Sequence, residues 1–238
     1  MSHDDKKIRV VGTGLIASNV REVFFPEKTL IIASGVSNSK ETRLSEFNRE
    51  EALVRREILT FPDSRIIYFS TCSISSGENS AYIQHKLNME NLVRQLGRNY
   101  WIFRLPQVVG AVNNLTLVSY LFNSIKTRRK IFIQEMARRN LIDIEDAVRI
   151  ASLHVLESPA CGSTENIASS RSVPVLDIVN EISRLLGIPA IYELKQEGYG
   201  QNIDIASLRD LLSPDDPIFE RDYWKKILLK YSSFYKTI

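Results

Sequence analysis

The first 105 residues alternate between short apolar runs and longer stretches in which apolar residues recur at helical spacing. Short runs bounded by glycine, proline or polar residues predict strands, and the amphipathic stretches between them predict helices. Strands are expected at 8–11, 29–33, 66–69 and 101–105, and helices from 15 to 24 or 25, over 45–59 and over 81–96. Regular alternation of strand and helix is typical of an α/β doubly wound parallel sheet.

The pattern changes after Gly110. Amphipathic stretches predict further helices at 116–125, from Asp143 or Asp146 to 156, at 175–186 and at 222–235, and a short stretch at 165–168 predicts a last strand. At 238 residues the chain has room for one large domain, or for a core with a small appended lobe.

Composition and charge narrow the range of partners. The chain is 44% hydrophobic and 25% charged, which is ordinary for a globular protein. Its 31 basic and 28 acidic residues give a net charge of +3, which is too small to argue for a nucleic-acid or membrane partner. A basic cluster at 126–130 has two interpretations: a solvated helix end, which we favour, and a position near an anionic substrate.

Cysteine and histidine usage argues against a metal site. Cys72 and Cys161 lie far apart, and with His3, His85 and His154 they form no zinc-type spacing. The polar start of the chain does not resemble a signal peptide, and no apolar run has the length of a membrane span. These features predict a cytoplasmic protein.

A glycine motif follows the first strand. Gly12 permits a tight turn, Gly14 allows the backbone to approach a pyrophosphate, and Ala17 lets the following helix pack closely on the strand. The helix N-terminus would supply N–H groups to the phosphates. The alternative is an ordinary glycine turn of an α/β protein.

A second motif lies on the predicted helix over 81–96. Tyr82 and Lys86 are four residues apart, so their side chains project from one face of the helix. A free tyrosine titrates near pH ~10, and a nearby ammonium favours the phenolate and lowers the pKa. The pair could therefore act as a general acid/base. The alternative is a half-buried tyrosine beside a surface lysine.

Taken together, the two motifs resemble the extended short-chain dehydrogenase/reductase (SDR) family, the nucleotide-sugar-modifying NAD-dependent epimerase/dehydratase group. The segments 31–35, 70–74, 103–110 and 139–146 also resemble that family. The resemblance implies NAD or NADP as cofactor and a nucleotide-linked sugar as substrate. It implies that Lys86 would hold the cofactor ribose and that the end of 31–35 would pass the middle of the cofactor. The expected cofactor contacts are Gly12, Gly14, Leu15, Ile16, Ala33, Ser34, Gly35, Tyr82, Lys86 and Pro106.

The resemblance also implies roles at the reacting end. Thr71 would hydrogen-bond the reacting oxygen beside Tyr82, and Asn48 would have a structural or proton-relay role. On the substrate side it implies Asn113, and Arg139 as the residue that holds a phosphate, for which the guanidinium fork is suited.

The chain departs from the family pattern in its first half. Only eleven residues separate Ala17 from Thr29, so the family's second strand, the following helix and the third strand are expected to be absent. The expected fold is a Rossmann-like doubly wound parallel sheet lacking those strands, with a small C-terminal substrate lobe. Residues 1–112 would form the core, with 141–170 packing back on it. Residues 113–140 and 171–238 would form the lobe.

These departures bear on function. The adenosine-binding half looks missing, and no residue remains to select NAD or NADP. Cys72 and Ser73 occupy the places of the acidic pair of 4,6-dehydratases, which argues against dehydration. We expect an NAD(P)-dependent oxidoreductase or epimerase acting through Thr71, Tyr82 and Lys86. The alternative is a non-catalytic SDR-like binding or regulatory module that has lost dinucleotide binding. A homodimer through the helices over 45–59 and 81–96, and a place in polysaccharide biosynthesis, are further implications.

Overall fold

The computed structural model describes residues 8–77, 79–112, 116–157, 162–198, 200 and 202–237. The strands are β1 (Arg9–Val11), β2 (Thr29–Ile32), β3 (Arg65–Thr71), β4 (Tyr100–Leu105), β5 (Gln107–Val109), β6 (Ile131–Gln134), β7 (Arg138–Asp143), β8 (Ser163–Asn166), β9 (Ser172–Pro174) and β10 (Tyr192–Lys195). The helices are α1 (Leu15–Asn19), α2 (Leu44–Thr60), α3 (Ala81–Leu96), α4 (Leu117–Lys126), α5 (Ile144–Glu157), α6 (Val175–Leu186), α7 (Ala206–Leu211) and α8 (Tyr223–Thr237). Short 3₁₀ turns span Val20–Glu22, Cys72–Ser76 and Pro217–Phe219.

The first compact unit, Met1–Leu105 with Val148–Ile167, is built on a five-stranded sheet. Its strand order is β1-β2-β3-β4-β8, and each neighbouring pair is parallel. The expected Rossmann-like fold is confirmed. β1 pairs directly with β2 and forms the edge of the sheet among the described residues. That the chain passes from its first strand to the family's fourth stays a prediction.

Helices cover both faces of this sheet. One face packs against α2 and α3 through a buried apolar cluster of Leu30, Ile32, Val54, Ile58, Ile66, Tyr68, Met89, Leu92, Val93 and Ile102. Side chains alternate along a strand, so Phe103 points to the opposite face from Ile102. There the Phe103 ring lies 5.8 Å from the ring of His154 on α5. The sheet is therefore buried on both sides, as its nearly continuous apolar strands indicate.

α1 is shorter than the sequence predicts. It ends at Asn19, a 3₁₀ turn follows to Glu22, and Val23 is already extended. A helix rises only about 1.5 Å per residue, whereas an extended chain covers about 3.3 Å. The few residues before β2 therefore return to the sheet more easily as extended chain than as a helix to Phe24 or Phe25.

The second compact unit is Pro106–Ala147 with Ala168–Ile238. It contains a three-stranded sheet, β5-β7-β9, in which β5 pairs parallel and β9 antiparallel to β7. β6 and β10 form a separate parallel pair. The last helix, α8, is bound to the end of β7: the Tyr231 hydroxyl and the Lys230 ammonium each lie 2.8 Å from the buried Asp143 carboxylate.

None of the described helices is both long and apolar enough to cross a membrane. In the same part of the chain, no three His, Cys, Asp or Glu residues are grouped as metal ligands. Cys161 lies outside the described residues.

The expected homodimer stays a prediction. The apolar residues of α2, Phe47, Val54 and Ile58, are buried within the chain itself. Its outer face carries the ion pairs Arg49–Glu46 and Arg55–Glu51. A dimer through this face would therefore depend on charge, and we expect its mass in light scattering to fall with added salt. A single-chain mass at low salt would contradict the dimer.

Candidate functional site

The end of β3 and the start of α3 bring two hydroxyl side chains together. Thr71 is the last residue of β3, and its hydroxyl accepts a hydrogen bond from the Ser73 N–H at 3.1 Å. The Ser80 hydroxyl caps α3 by accepting from the Ile83 N–H at 3.3 Å. This cap fixes where the helix begins and places Tyr82 in its first turn, where the Thr71 side chain acts on its phenol.

Tyr82 is buried and holds its proton. Burial disfavours the phenolate and raises the pKa of Tyr82 to about 12, the hydrogen bond with Thr71 lowers it, and the charge of Glu50 raises it further. The prediction that a nearby ammonium lowers the pKa of Tyr82 is therefore wrong. The reason is that the ammonium on this helix is neutralised by a carboxylate.

That ammonium belongs to Lys86, one turn further along α3. It lies on the same side of the helix as Tyr82 and is buried, with 5% of the residue exposed. Its Nζ donates to Glu50 Oε1 at 2.9 Å and to the Tyr68 hydroxyl at 3.1 Å. Lys86 is thus hydrogen-bonded to side chains of both α2 and β3.

Glu50 is the centre of this network and has no exposed surface. Its Oε1 also accepts from the Tyr68 hydroxyl at 2.7 Å, and its Oε2 lies 2.7 Å from the Val36 N–H and 2.9 Å from His85 Nε2. Burial raises the pKa of Glu50, but the hydrogen bond from His85 and the charge and hydrogen bond of Lys86 outweigh it and lower the pKa to about 2. The carboxylate is therefore ionised at neutral pH.

Sequence reasoning missed Glu50, although a signal was present. Glu50 lies on the same face of α2 as Phe47 and Val54, so it is a charged residue in an apolar stripe. Buried carboxylates need a partner. The partner is Lys86, which the family resemblance had assigned to the cofactor.

The glycines of the expected cofactor turn have different surroundings. Gly12 has φ 128°, and a Cβ there would lie 2.5 Å from the Ala33 carbonyl oxygen. Gly14 has open space beside it, because a Cβ there would meet nothing within 4 Å. A Cβ on Gly35 would lie 2.5 Å from Glu50 Oε1. Gly12 and Gly35 are thus required by contacts inside the chain.

The remaining expected cofactor residues of this unit follow β1 and β2 in the chain. Leu15 and Ile16 are half-buried at the start of α1, and Ala33 and Ser34 are half-buried after β2. The Ala33 N–H donates to the Val11 carbonyl at 2.9 Å, which continues the β1–β2 pairing. Asn48 is exposed on α2, away from the buried face that carries Glu50.

The expected cofactor contact Pro106 and the two expected substrate-side residues, Asn113 and Arg139, come after β4 in the chain. Asn113 lies outside the described residues. Pro106 and Arg139 belong to the second unit, and an Arg139 N–H donates to the Arg138 carbonyl at 2.8 Å. Neighbouring residues on a strand point to opposite faces, so Arg139 and Asn140 diverge. Asn140 lines a pocket of about 330 Å³ that also includes Ser169 and Arg209, whereas Arg139 is not among its lining residues.

The residues as arranged do not fit a dinucleotide. Lys86, the expected ribose ligand, is bound to Glu50, and the Glu50 carboxylate lies against Gly35 in the segment expected to follow the cofactor. α1 has five residues, so its helix dipole is small for a pyrophosphate. The open space at Gly14 agrees with the expected cofactor site.

Comparison with known proteins supports the family resemblance. Residues 60–168 match the family described as the NAD dependent epimerase/dehydratase family. This range contains Thr71, Tyr82 and Lys86. A search of curated proteins finds no match.

Solved structures of SDR-type enzymes share the fold. WbmH of Bordetella bronchiseptica, in complex with NAD+, superposes with a TM-score of 0.70 at 14% identity, covering 88% of this chain and 75% of that one. RMD from Pseudomonas aeruginosa, complexed with NADPH, gives 0.69 at 13% identity and covers 98% and 100%. A UDP-N-acetylglucosamine 4-epimerase from Methanobrevibacter ruminantium M1, in complex with UDP-N-acetylmuramic acid, gives 0.68 at 14% identity and covers 94% and 81%.

Proposed function

We propose that this protein, whose residues 60–168 match the NAD dependent epimerase/dehydratase family, binds a nucleotide-linked sugar and presents Thr71 and Tyr82 to one of its oxygens. One observation carries the proposal: Thr71 ends β3, and Tyr82 lies in the first turn of α3, where the Thr71 hydroxyl acts on its phenol. Ligands of open parallel sheets bind outside the carboxyl ends of the strands. The bound UDP-sugar of the Methanobrevibacter ruminantium epimerase supports the ligand class.

The chemistry of this pair follows from the protonation of Tyr82. With a pKa of about 12, roughly one molecule in 10⁵ carries the phenolate at pH 7. Tyr82 therefore acts as a hydrogen-bond donor, and Thr71 as a second hydroxyl on the same oxygen. Abstraction of a substrate proton by Tyr82 is strongly disfavoured in this arrangement.

The arrangement favours a binding or regulatory module over a redox enzyme. An NAD(P)-dependent reduction or epimerisation would need Lys86 on the cofactor ribose and a Tyr82 able to exchange its proton near neutrality. Lys86 is instead paired with Glu50, and Tyr82 is held in its neutral form. The intact order of Thr71, Tyr82 and Lys86 is what favours the enzyme as a second candidate.

We further assign substrate binding to the lobe formed by 113–140 and 171–238. Arg139 is its proposed phosphate ligand, because its guanidinium has no carboxylate partner within 4 Å among the described residues. Exposed guanidinium groups of this kind suit a diphosphate better than a neutral sugar.

Calorimetric titration with UDP-N-acetylglucosamine tests the proposal. We expect binding by the wild type, a roughly threefold to tenfold loss for Tyr82→Phe or Thr71→Val, as for a lost neutral hydrogen bond, and a larger loss for Arg139→Ala. Tyr100→Phe, which alters a tyrosine at the start of β4, at the end of the sheet away from Thr71, is the matched control. UDP alone should bind Tyr82→Phe as well as it binds the wild type. Absence of binding at millimolar ligand, or an unchanged affinity of Tyr82→Phe, would contradict the proposal. Turnover of the sugar with NADH or NADPH by the wild type would favour the enzyme.

A further inference from the structure

We infer that Glu50 takes the place of a dinucleotide as the partner of Lys86, and that this carboxylate prevents the chain from binding NAD or NADP. The contact is direct: Glu50 Oε1 lies 2.9 Å from Lys86 Nζ, and neither side chain has more than 6% of its surface exposed. The inference uses the same site as the proposed function and adds to it the residue that decides which ligands can enter.

The first argument is electrostatic. Lys86 is the ammonium that compensates the buried charge of Glu50, and His85 and Tyr68 complete the carboxylate's hydrogen bonds. A ribose offers only neutral hydroxyls. If a ribose took Lys86, the carboxylate would remain buried without a counter-charge, which is a strongly unfavourable state. Glu50 therefore competes with a dinucleotide for Lys86 more strongly than a neutral side chain would.

The second argument is steric. Glu50 Oε2 accepts from the Val36 N–H at 2.7 Å, and the carboxylate lies where a Cβ on Gly35 would be. The backbone after β2 thus holds the carboxylate at the place that the family resemblance assigns to the middle of the cofactor. Gly35, which looked like a cofactor residue, here makes room for a side chain of α2.

Glu50 also acts on the proton of Tyr82. Among the residues that the structure describes, the charged and titratable groups facing this region are Glu50 from α2, His85 and Lys86 from α3, and Tyr68 from β3. Glu50 is the charged group that raises the pKa of Tyr82. Removing its charge should therefore lower the pKa of Tyr82, and this effect does not depend on any bound ligand. Glu50 is in this sense a positioning residue, since it acts through Lys86 and Tyr82.

The first experiment titrates NADH and NADPH calorimetrically into the wild type, Glu50→Gln, Glu50→Gln with Lys86→Met, and Glu46→Gln. Glu46 is on the same helix with an exposed arginine partner, so Glu46→Gln is the matched control. We expect no binding by the wild type or the control at about 1 mM, at least about tenfold tighter binding by Glu50→Gln, and loss of that gain in the double variant. Equal binding by the wild type and Glu50→Gln, or no binding by either, would overturn the inference.

The second experiment measures the Tyr82 phenolate, as the difference in ultraviolet absorbance between each protein and its Tyr82→Phe version during alkaline titration. We expect a pKa of about 12 in the wild type and a lower value in Glu50→Gln. An unchanged value would contradict the coupling. If Glu50→Gln does not fold, Glu50→Asp keeps the charge but draws it back from Lys86, and it should bind NADH more tightly than the wild type. Failure of these tests leaves the binding of UDP-N-acetylglucosamine unaffected, so the two proposals can fail separately.

Discussion

Replacing Lys86 by methionine is expected to lower the free energy of unfolding by about 3–5 kcal/mol, the range for breaking a buried ion pair by removing one partner. Methionine fills most of the space of the lysine stem but leaves Glu50 buried and charged without its ammonium. Urea unfolding followed by circular dichroism measures the change. Arg55→Met is the control, because it removes the guanidinium from an exposed ion pair on α2. Exposed ion pairs contribute little to stability.

A second substitution separates the pair from simple packing. Adding Glu50→Leu to Lys86→Met removes the stranded carboxylate, and the double variant should regain about 2 kcal/mol or more of the loss, since apolar replacement of a buried pair is often nearly neutral. If the two losses simply add, the charges are not coupled, and Lys86 is not the counter-charge of Glu50.

Acid provides an independent check of the same pair. Glu50 has a pKa lowered from 4.5 to about 2 in the folded protein, so its contribution to stability is full above about pH 4.5 and is lost as pH falls towards 2. In Lys86→Met the ammonium that lowers this pKa is gone. The carboxylate should then take up its proton at higher pH, and the relative cost of the substitution should shrink as the solution becomes acidic.

The first unit could be predicted from the sequence because its elements are marked by local patterns. The apolar runs gave β1 to β4, and helical spacing gave α2 and α3 to within a few residues. Glu50 could not be assigned in this way, because its partners Lys86 and Tyr68 are 36 and 18 residues away on other elements. A pair motif such as Tyr82 and Lys86 specifies which residues share a helix face. It does not specify what packs against that face.

The strands of the second unit were not predicted, for a related reason. β5 and β9 have three residues each, and β7 begins with two arginines, so no period-2 apolar pattern marks them. Their strand state comes from pairing between distant segments, for example Arg139 with Val173. Such pairing depends on tertiary context more than on local propensity. The position of Arg139 on a strand could therefore not be predicted from the local sequence.

Replacing Gly12 by alanine is expected to lower the free energy of unfolding by about 3–5 kcal/mol when it is measured without added cofactor. Gly12 has φ 128°, a conformation that L-residues rarely adopt, and its new Cβ would lie 2.5 Å from the Ala33 carbonyl oxygen. That carbonyl is part of the backbone, and the Ala33 N–H donates a 2.9 Å hydrogen bond to the Val11 carbonyl. A shift of Ala33 away from the new Cβ would therefore disturb the β1–β2 pairing. Thermal and urea unfolding measure the loss.

Gly14→Ala is the matched control, and it decides what the glycine motif is for. Gly14 is extended, with φ −81°, and a Cβ there meets nothing within 4 Å, so stability should change by less than about 1 kcal/mol. If both glycines served only a dinucleotide, neither substitution would affect the free protein. A large loss at Gly12 with none at Gly14 means that Gly12 is required by the β1–β2 pairing. Gly14 alone would then remain as the approach to a ligand, and a loss at Gly14 as large as at Gly12 would contradict this division.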